Sequence, residues 1–266
     1  MRRPFRFALT LLLTVLLLAC ATSPTGRKQL MLVSEQEAIS ASKTAYLETM
    51  GGFEKEGKLN TDPALTARVR HITDRLIAQA VKLRPATKNW AWSVNVIDDP
   101  NTVNAWCMAG GKMAVYTGLI DKIKPTDDEL AQVMGHEISH ALANHTAERM
   151  SVAMATSLGV LAVGAVVENH RNTALVGAAL AAKLAIELPN SRASETEADR
   201  MGIELAAKAG YDPHAAVSLW EKMAKLSNGG TPQFLSTHPA PANRMQTLRK
   251  LIPQMMPYYE QAKSRR

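Results

Sequence analysis

The chain has 266 residues, 46% of them hydrophobic, and its 31 Lys and Arg outnumber its 24 Asp and Glu for a formal charge of +7. It carries no Lys/Arg block and no interleaving of aromatic with basic residues, which argues against a nucleic-acid partner. Its two cysteines, Cys20 and Cys107, exclude a disulfide framework, and its length suits one domain with a substantial core.

The first elements are targeting elements. MRRPFRFALTLLLTVLLLAC places Arg2, Arg3 and Arg6 before an apolar run from Phe7 to Leu18, so residues 1–19 read as a secretory signal peptide. The run falls short of the roughly 20 residues a membrane span needs. Its ending, Leu17-Leu18-Ala19-Cys20, resembles a lipoprotein processing box, in which cleavage leaves a lipid-bearing Cys20. Ala21 follows where an aspartate often marks inner-membrane retention, so the expected location is the outer membrane, with the body facing the periplasm. Removing the three arginines takes the charge from +7 to +4. Lipid on Cys20 leaves Cys107 alone, read as a small buried hydrophobe. Ala21 to Gln29, ATSPTGRKQ, reads as a tether.

Ser34-x-x-Glu37 opens a capped helix running to Met50. Asp62-Pro63 opens a second, whose Leu65, Val69, Ile72, Leu76 and Ile77 share a face; His71 beside them is read as structural. Trp90 to Ile97 alternates as a strand. A second strand region, AWCMAGGKMAVYTGLI, is broken by a bend or bulge at Gly110-Gly111. Thr126-Asp127-Asp128-Glu129 starts a helix with acids in its first turn, where the helix dipole favours them. Two Ala/Gly-rich apolar stretches, Ser151 to Val167 and Thr173 to Leu188, form either packed helices or a membrane hairpin. Asn190 or Ser191 caps the next helix, Tyr211-Asp212-Pro213 opens another, and ANRMQTLRKLI is helical.

The chemistry concentrates in VMGHEISHALANHTAERM. His136 and His140 are four apart, which puts both imidazoles on one helix face, where they can grip one zinc ion. Glu137 beside the first can serve as general base toward water at that ion. A third histidine six residues past the second would complete one zincin class, but Thr146 stands there. Nine helical steps carry His145 to the opposite side, so it reads as a surface histidine. The other zincin class takes a glutamate from a later helix. In SRASETEADRMG, Glu195 and Asp199 are four apart on one face, Glu195 as ligand and Asp199 as acceptor of the N–H of a ligating histidine, His136. Glu197 lies far around that helix and reads as a solvated capping acid.

HEISH followed by S-R-x-x-E-x-x-A-D resembles the gluzincin metallopeptidase family of the CAAX prenyl proteases, HtpX and the OMA-type proteases. Asn104-Ala105, Gly110-Gly111-Lys112 and Tyr116-Thr117-Gly118-Leu119 are similar to its segment upstream of the metal helix. Gly210-Tyr211-Asp212-Pro213 resembles its G-Y-D-P turn, and Ser236-Thr237-His238-Pro239 with Arg244 its close. The match runs from about Leu65 to Leu251, and the lipoprotein form is most like the periplasmic LoiP-type enzymes. The resemblance implies an α+β, mostly helical, zincin-like catalytic domain with a small β-sheet and an HExxH metal helix. It divides the chain into signal (1–19), lipidated cysteine and tether (20–33), N-terminal helix and loop (34–60) and metallopeptidase domain (61–266).

It further implies one Zn²⁺ per chain on His136, His140 and Glu195, with Glu137 as base and Asp199 as support or proton donor. His238 or Arg244 would stabilise the oxyanion, or His238 would fill the fourth zinc position at rest. The strand at Gly111, Lys112, Met113 and Ala114 either pairs with an extended substrate backbone or lies inside the sheet. The expected activity is hydrolysis of misfolded or unassembled envelope proteins. The alternative is a chaperone or assembly factor working with the outer-membrane assembly machinery.

Overall fold

Residues 20–164, 190–226, 232–239 and 243–264 are described in the computed structural model of the chain. The whole stretch from Thr173 to Leu188, the last residues of the apolar run before it and the signal read at residues 1–19 lie outside them. No helix among the described residues is long and apolar enough to cross a membrane.

The first element is a short hairpin, β1 (Cys20–Thr22) paired antiparallel with β2 (Lys28–Leu30). This overturns the tether reading. Ser23 and Gln29 are buried, Gln29 donates to the Ala143 carbonyl at 2.8 Å, and Arg27 pairs with Glu148 at 2.6 Å. Helix α1 (Glu35–Lys55) starts at Ser34 with the expected capping box, and α2 (Pro63–Leu83) at Asp62, whose side chain accepts from Ala64 and Leu65. Val69, Ile72 and Leu76 are fully buried along α2, whereas His71 beside them is exposed and stabilises nothing in the core.

A three-stranded sheet follows, ordered β3 (Ser93–Ile97), β5 (Lys112–Tyr116), β4 (Ala105–Met108), with β5 parallel to β3 and antiparallel to β4. Alternation sends Val94, Val96, Ala105, Cys107, Met113 and Val115 to one face, into the main core with α2 and the metal helix. Ile97, Trp106, Met108 and Ala114 point to the other face, against Tyr46 and Met50 of α1. Both faces are therefore covered. Cys107 is buried and free, as expected.

Two boundaries differ from the sequence reading. The first strand begins at Ser93 because Trp90 and Trp92 pack on each other, ring centroids 5.1 Å apart. Gly110 and Gly111, with φ of 79° and 77°, make the turn of a hairpin between β4 and β5 rather than a bulge within one strand. A side chain at Gly111 would also meet the Trp92 ring at 2.3 Å. Thr117 to Ile120, expected to continue the strand, instead open helix α3 (Thr117–Ile123).

The remaining helices are α4 (Asp127–Leu142), α5 (His145–Gly164), α6 (Arg192–Lys208), α7 (Ala215–Leu226), α8 (Gln233–Thr237) and α9 (Arg244–Lys263). Every residue of α4 from Glu129 to Leu142 is buried, so α4 is the central helix, with α2, β4, α6 and α7 packed around it. The expected mostly helical α+β architecture with a small sheet is the one observed.

Candidate metal centre

Helix α4 starts at Thr126, which accepts from the Glu129 amide while the Glu129 carboxylate accepts from the Thr126 amide. From that start the helical repeat puts His136 and His140 on one face, their Nε2 atoms 3.0 Å apart. Helix α6 starts at Ser191, which caps Ser194, and lays Glu195 and Asp199 along the side facing α4. Glycine sets the approach of the two helices: a Cβ on Gly202 would lie 2.8 Å from the His136 amide nitrogen, and one on Gly135 2.9 Å from the Gly202 carbonyl oxygen. Any larger residue at either position would push the histidines away from the acids.

Glu195 bridges the pair. Its Oε1 lies 3.3 Å from His140 Nε2 and its Oε2 3.4 Å from His136 Nε2. His238, just past α8, puts Nδ1 3.0 Å from Glu195 Oε1 and 3.3 Å from His136 Nε2. Phe234 stacks under the His238 ring at 4.5 Å, and Asn190 donates to the neighbouring Thr237 carbonyl at 3.3 Å. Donor atoms of His136, His140, Glu195 and His238 all lie within 4.8 Å of one another, and all four residues are buried.

This donor set fits a metal ion. Two ligands of tetrahedral zinc, each at about 2.0–2.1 Å, are about 3.3 Å apart. The separations here run from 3.0 to 3.4 Å. The Glu137 Oε1 atom is buried with no hydrogen-bond partner among the described residues, and stands 3.5 Å from His238 Nε2.

The electrostatics follow from burial and crowding. Burial opposes a charge on His136, but Glu195 and Asp199 outweigh it and push the imidazole up to about 10. Burial pulls His140 well below the ordinary histidine range. Burial also resists ionisation of Glu195, yet His136, His140 and His238 hold its carboxyl far below the usual range. Glu137, with no such hydrogen bonds, is pushed up by burial, the direction a base that must return its proton requires.

Asp199 Oδ1 lies 3.0 Å from His136 Nδ1, close but out of line for the hydrogen bond expected there. Its Oδ2 accepts from Arg244 Nε at 2.6 Å, while Arg244 also donates to Glu195 Oε2 at 2.6 Å and lies 3.8 Å from the Trp220 ring. Arg244 thus engages Asp199 and the candidate ligand Glu195 and does not line the cavity that holds Glu137 and His238. This corrects its reading as an oxyanion group.

The substrate strand needs a second correction. β5 is paired on both sides, Met113 and Ala114 are fully buried, Gly111 packs on Trp92, and Lys112 reaches Ser93 instead of the centre. The edge strand beside the site is β4. Its Trp106, Cys107 and Met108 share with Glu137, His140 and His238 a cavity of about 20 Å³, room for about one water.

His145 is the third correction. The α4 repeat stops at Ala143, Asn144 adopts φ +57°, and α5 restarts at His145 in a new direction. His145 is buried, with Nδ1 2.7 Å from His140 Nδ1 and Nε2 3.1 Å from Glu197 Oε2. Glu197, expected in solvent, is buried too. Asn is the non-glycine residue that most readily turns left-handed after a helix, so Asn144 was the available signal. Arg149 was missed with no signal at all. It lines the same cavity, its Nε has no partner among the described residues, and burial pulls it down to about 10, still charged and facing Glu195 and Glu137.

A family profile described as Peptidase family M48 matches residues 63–252, which include every residue of this centre. The chain belongs to peptidase family M48. Among M48 relatives, "Metalloendopeptidase OMA1, mitochondrial" of Bos taurus is 33% identical over 243 residues, 87% of this chain and 46% of that protein. The corresponding protein of Arabidopsis thaliana is 39% identical over 158 residues, 59% of this chain and 31% of that one. "Beta-barrel assembly-enhancing protease" of Yersinia pestis is 31% identical over 207 residues, 74% of this chain and 41% of that one. The chain spans about half or less of the length of these M48 relatives.

Proposed function

We propose that the chain is a zinc-dependent endopeptidase, lipid-anchored through Cys20 at the bacterial outer membrane and facing the periplasm, which cuts misfolded or unassembled envelope proteins. The observation that carries the reading is the buried convergence of His136, His140 and Glu195 with an unpartnered Glu137 Oε1 beside them. One zinc ion per chain, held by those three ligands, supplies Lewis-acid polarisation of the scissile carbonyl and water acidified to a pKa of about 7.

The chain's own residues do the rest. Glu137 accepts the proton of the attacking water on its free carboxylate oxygen and passes it to the leaving amine. Asp199 and Arg244 hold His136 and Glu195 in place. An extended substrate lies along the β4 edge, the strand that borders the cavity, and so needs main-chain hydrogen bonds more than particular side chains. Such sparse selectivity suits unfolded clients. His238 sits at the fourth corner of the donor set, so the arrangement described is a closed, resting one. Catalysis requires His238 to withdraw and admit water, and its ring is then within reach of the developing oxyanion.

That closed corner also favours a second reading, a chaperone or assembly factor that cuts rarely. The relative named for β-barrel assembly points the same way. One experiment separates the two. Purified wild type and Glu137→Gln are compared for zinc content and for cleavage of an unfolded protein. Glu137→Gln is expected to keep its zinc and lose about 10²–10⁴-fold in rate. Equal rates would reject Glu137 as base, and a wild type that prevents aggregation without ever cutting would favour the chaperone.

A further inference from the structure

The N-terminal hairpin is connected to the metal centre by an unbroken chain of polar contacts. From the metal face outward it runs His140, His145, Glu197, then Thr25 and Arg27. The two imidazoles meet Nδ1 to Nδ1 at 2.7 Å. His145 Nε2 stands 3.1 Å from Glu197 Oε2. Thr25 Oγ1 donates to Glu197 Oε1 at 2.5 Å and Arg27 Nε to Glu197 Oε2 at 2.7 Å. Arg27 is itself clamped by both oxygens of Glu148, at 2.7 and 2.6 Å, and Glu148 also accepts from Gln29 at 3.0 Å.

Chemistry orders the protons along this chain. His140 turns Nε2 toward Glu195 and His136, so that nitrogen must be bare to bind a metal, and the proton sits on Nδ1. His140 Nδ1–H then donates to His145 Nδ1. That leaves the His145 proton on Nε2, where it donates to the Glu197 carboxylate. The reverse order would protonate His140 Nε2 and spoil the ligand. A carboxylate at the far end, which can only accept, selects the productive order, and Thr25 and Arg27 hold it in place through hydrogen bonds to its two oxygens.

We infer that the hairpin Cys20–Leu30 belongs to the metal-holding machinery, with Thr25 and Arg27 positioning Glu197, Glu197 fixing the tautomer of His145, and His145 orienting the ligand His140. Such outer partners of ligating histidines are worth about 10–100-fold in metal affinity. His136 has its own support in Asp199 and Arg244, so the two ligands are steadied by different parts of the chain. One depends on the C-terminal helix α9. The other depends on a hairpin whose first residue is the cysteine expected to carry lipid. Pulling that hairpin away would loosen His140 without touching Glu137, Glu195 or the substrate edge.

The inference rests on the zinc reading, and the test separates the two. The full-length protein, as wild type, His145→Ala, His145→Asn, Glu197→Gln and Arg27→Met, is titrated with zinc against a chromophoric chelator. Melting temperatures of the metal-free forms are measured in parallel. His145→Ala and Glu197→Gln are expected to lose about 10–100-fold in zinc affinity, and Arg27→Met several-fold. His145→Asn puts an amide oxygen near the Nδ1 position and should recover most of the loss. If His145→Ala does not fold, Arg27→Met decides, because its side chain sits at the rim. Unchanged zinc affinity in the folded variants overturns the inference, whatever happens to their metal-free melting temperatures. A wild type that binds no zinc overturns the metal reading itself.

Discussion

Arg244 shows how much of the centre depends on one buried cation. Its guanidinium, 3% exposed, donates to Asp199 and Glu195 and stacks on Trp220. Replacing it by methionine leaves two buried carboxylates without their counter-ion, and breaking such a pair from one side costs about 3–5 kcal/mol. Arg244→Met should therefore lower the unfolding free energy measured with denaturant by that amount in metal-free protein, and by less with zinc bound, because the ion supplies part of the missing charge. An equal loss with and without zinc would mean the arginine matters only for packing. At this scale the candidate centre was legible in the sequence, since His136 with His140 and Glu195 with Asp199 are pairs within single helices and the 3.6-residue repeat dictates which share a face. His145 was misread because the same repeat was carried across Asn144, where the helix ends. The commitment of Arg244 to Glu195 joins residues on different helices, and no local rule reaches it.

Helix α4 owes its start to Thr126 and Glu129, and Glu129 does more than cap. Its carboxylate also accepts from Lys222 Nζ at 2.6 Å and Ser218 Oγ at 2.7 Å, tying the metal helix to α7. Burial opposes its ionisation, but these partners hold its carboxyl below the ordinary value. A carboxyl with a depressed folded pKa contributes stability that is complete above the ordinary carboxylate range and is lost as pH falls through the folded value. Glu129→Gln should thus cost about 1–2 kcal/mol at neutral pH, and the gap to wild type should close in acid. Melting curves from pH 7 to pH 3 check the sign, and a gap that widens in acid would contradict it. The capping boxes at Ser34 and Thr126 were readable because each is a four-residue pattern. The docking of β1–β2 was not. Polar residues without periodicity look like a tether, and what seats them is contact with Ala143, Glu148 and Glu197, more than a hundred positions away. The order of the sheet was likewise hidden, because alternation tells which residues share a face and not which strand is the edge.

At the scale of the molecule, the centre draws together four separate parts of the chain: α4, α6, the turn at His238 and, through Glu197, the hairpin after Cys20. A lipid on Cys20 would hold this domain close against the bilayer instead of on a leash, since β1 begins at that residue. Cys20→Ala is expected to move the protein from the membrane fraction to the soluble one. Continued sedimentation with membranes would point instead to the apolar stretches from Ser151 to Leu188. Because the proposed ligands come from distant segments, a bound ion would act as a cross-link that the unfolded chain cannot reproduce. A ligand bound only by the folded state at about a thousand times its dissociation constant stabilises by about 4 kcal/mol. For a domain of this size each kcal/mol is worth about 2–4 °C in melting temperature. Chelating the zinc should therefore lower Tm by about 10 °C, and returning it should restore the original value. The shift should vanish in His136→Ala, which lacks a ligand, and survive in Glu137→Gln, which lacks only the base. Scanning calorimetry of the three proteins with and without chelator reads this directly. A shift of equal size in His136→Ala would mean the stabilising ion binds elsewhere.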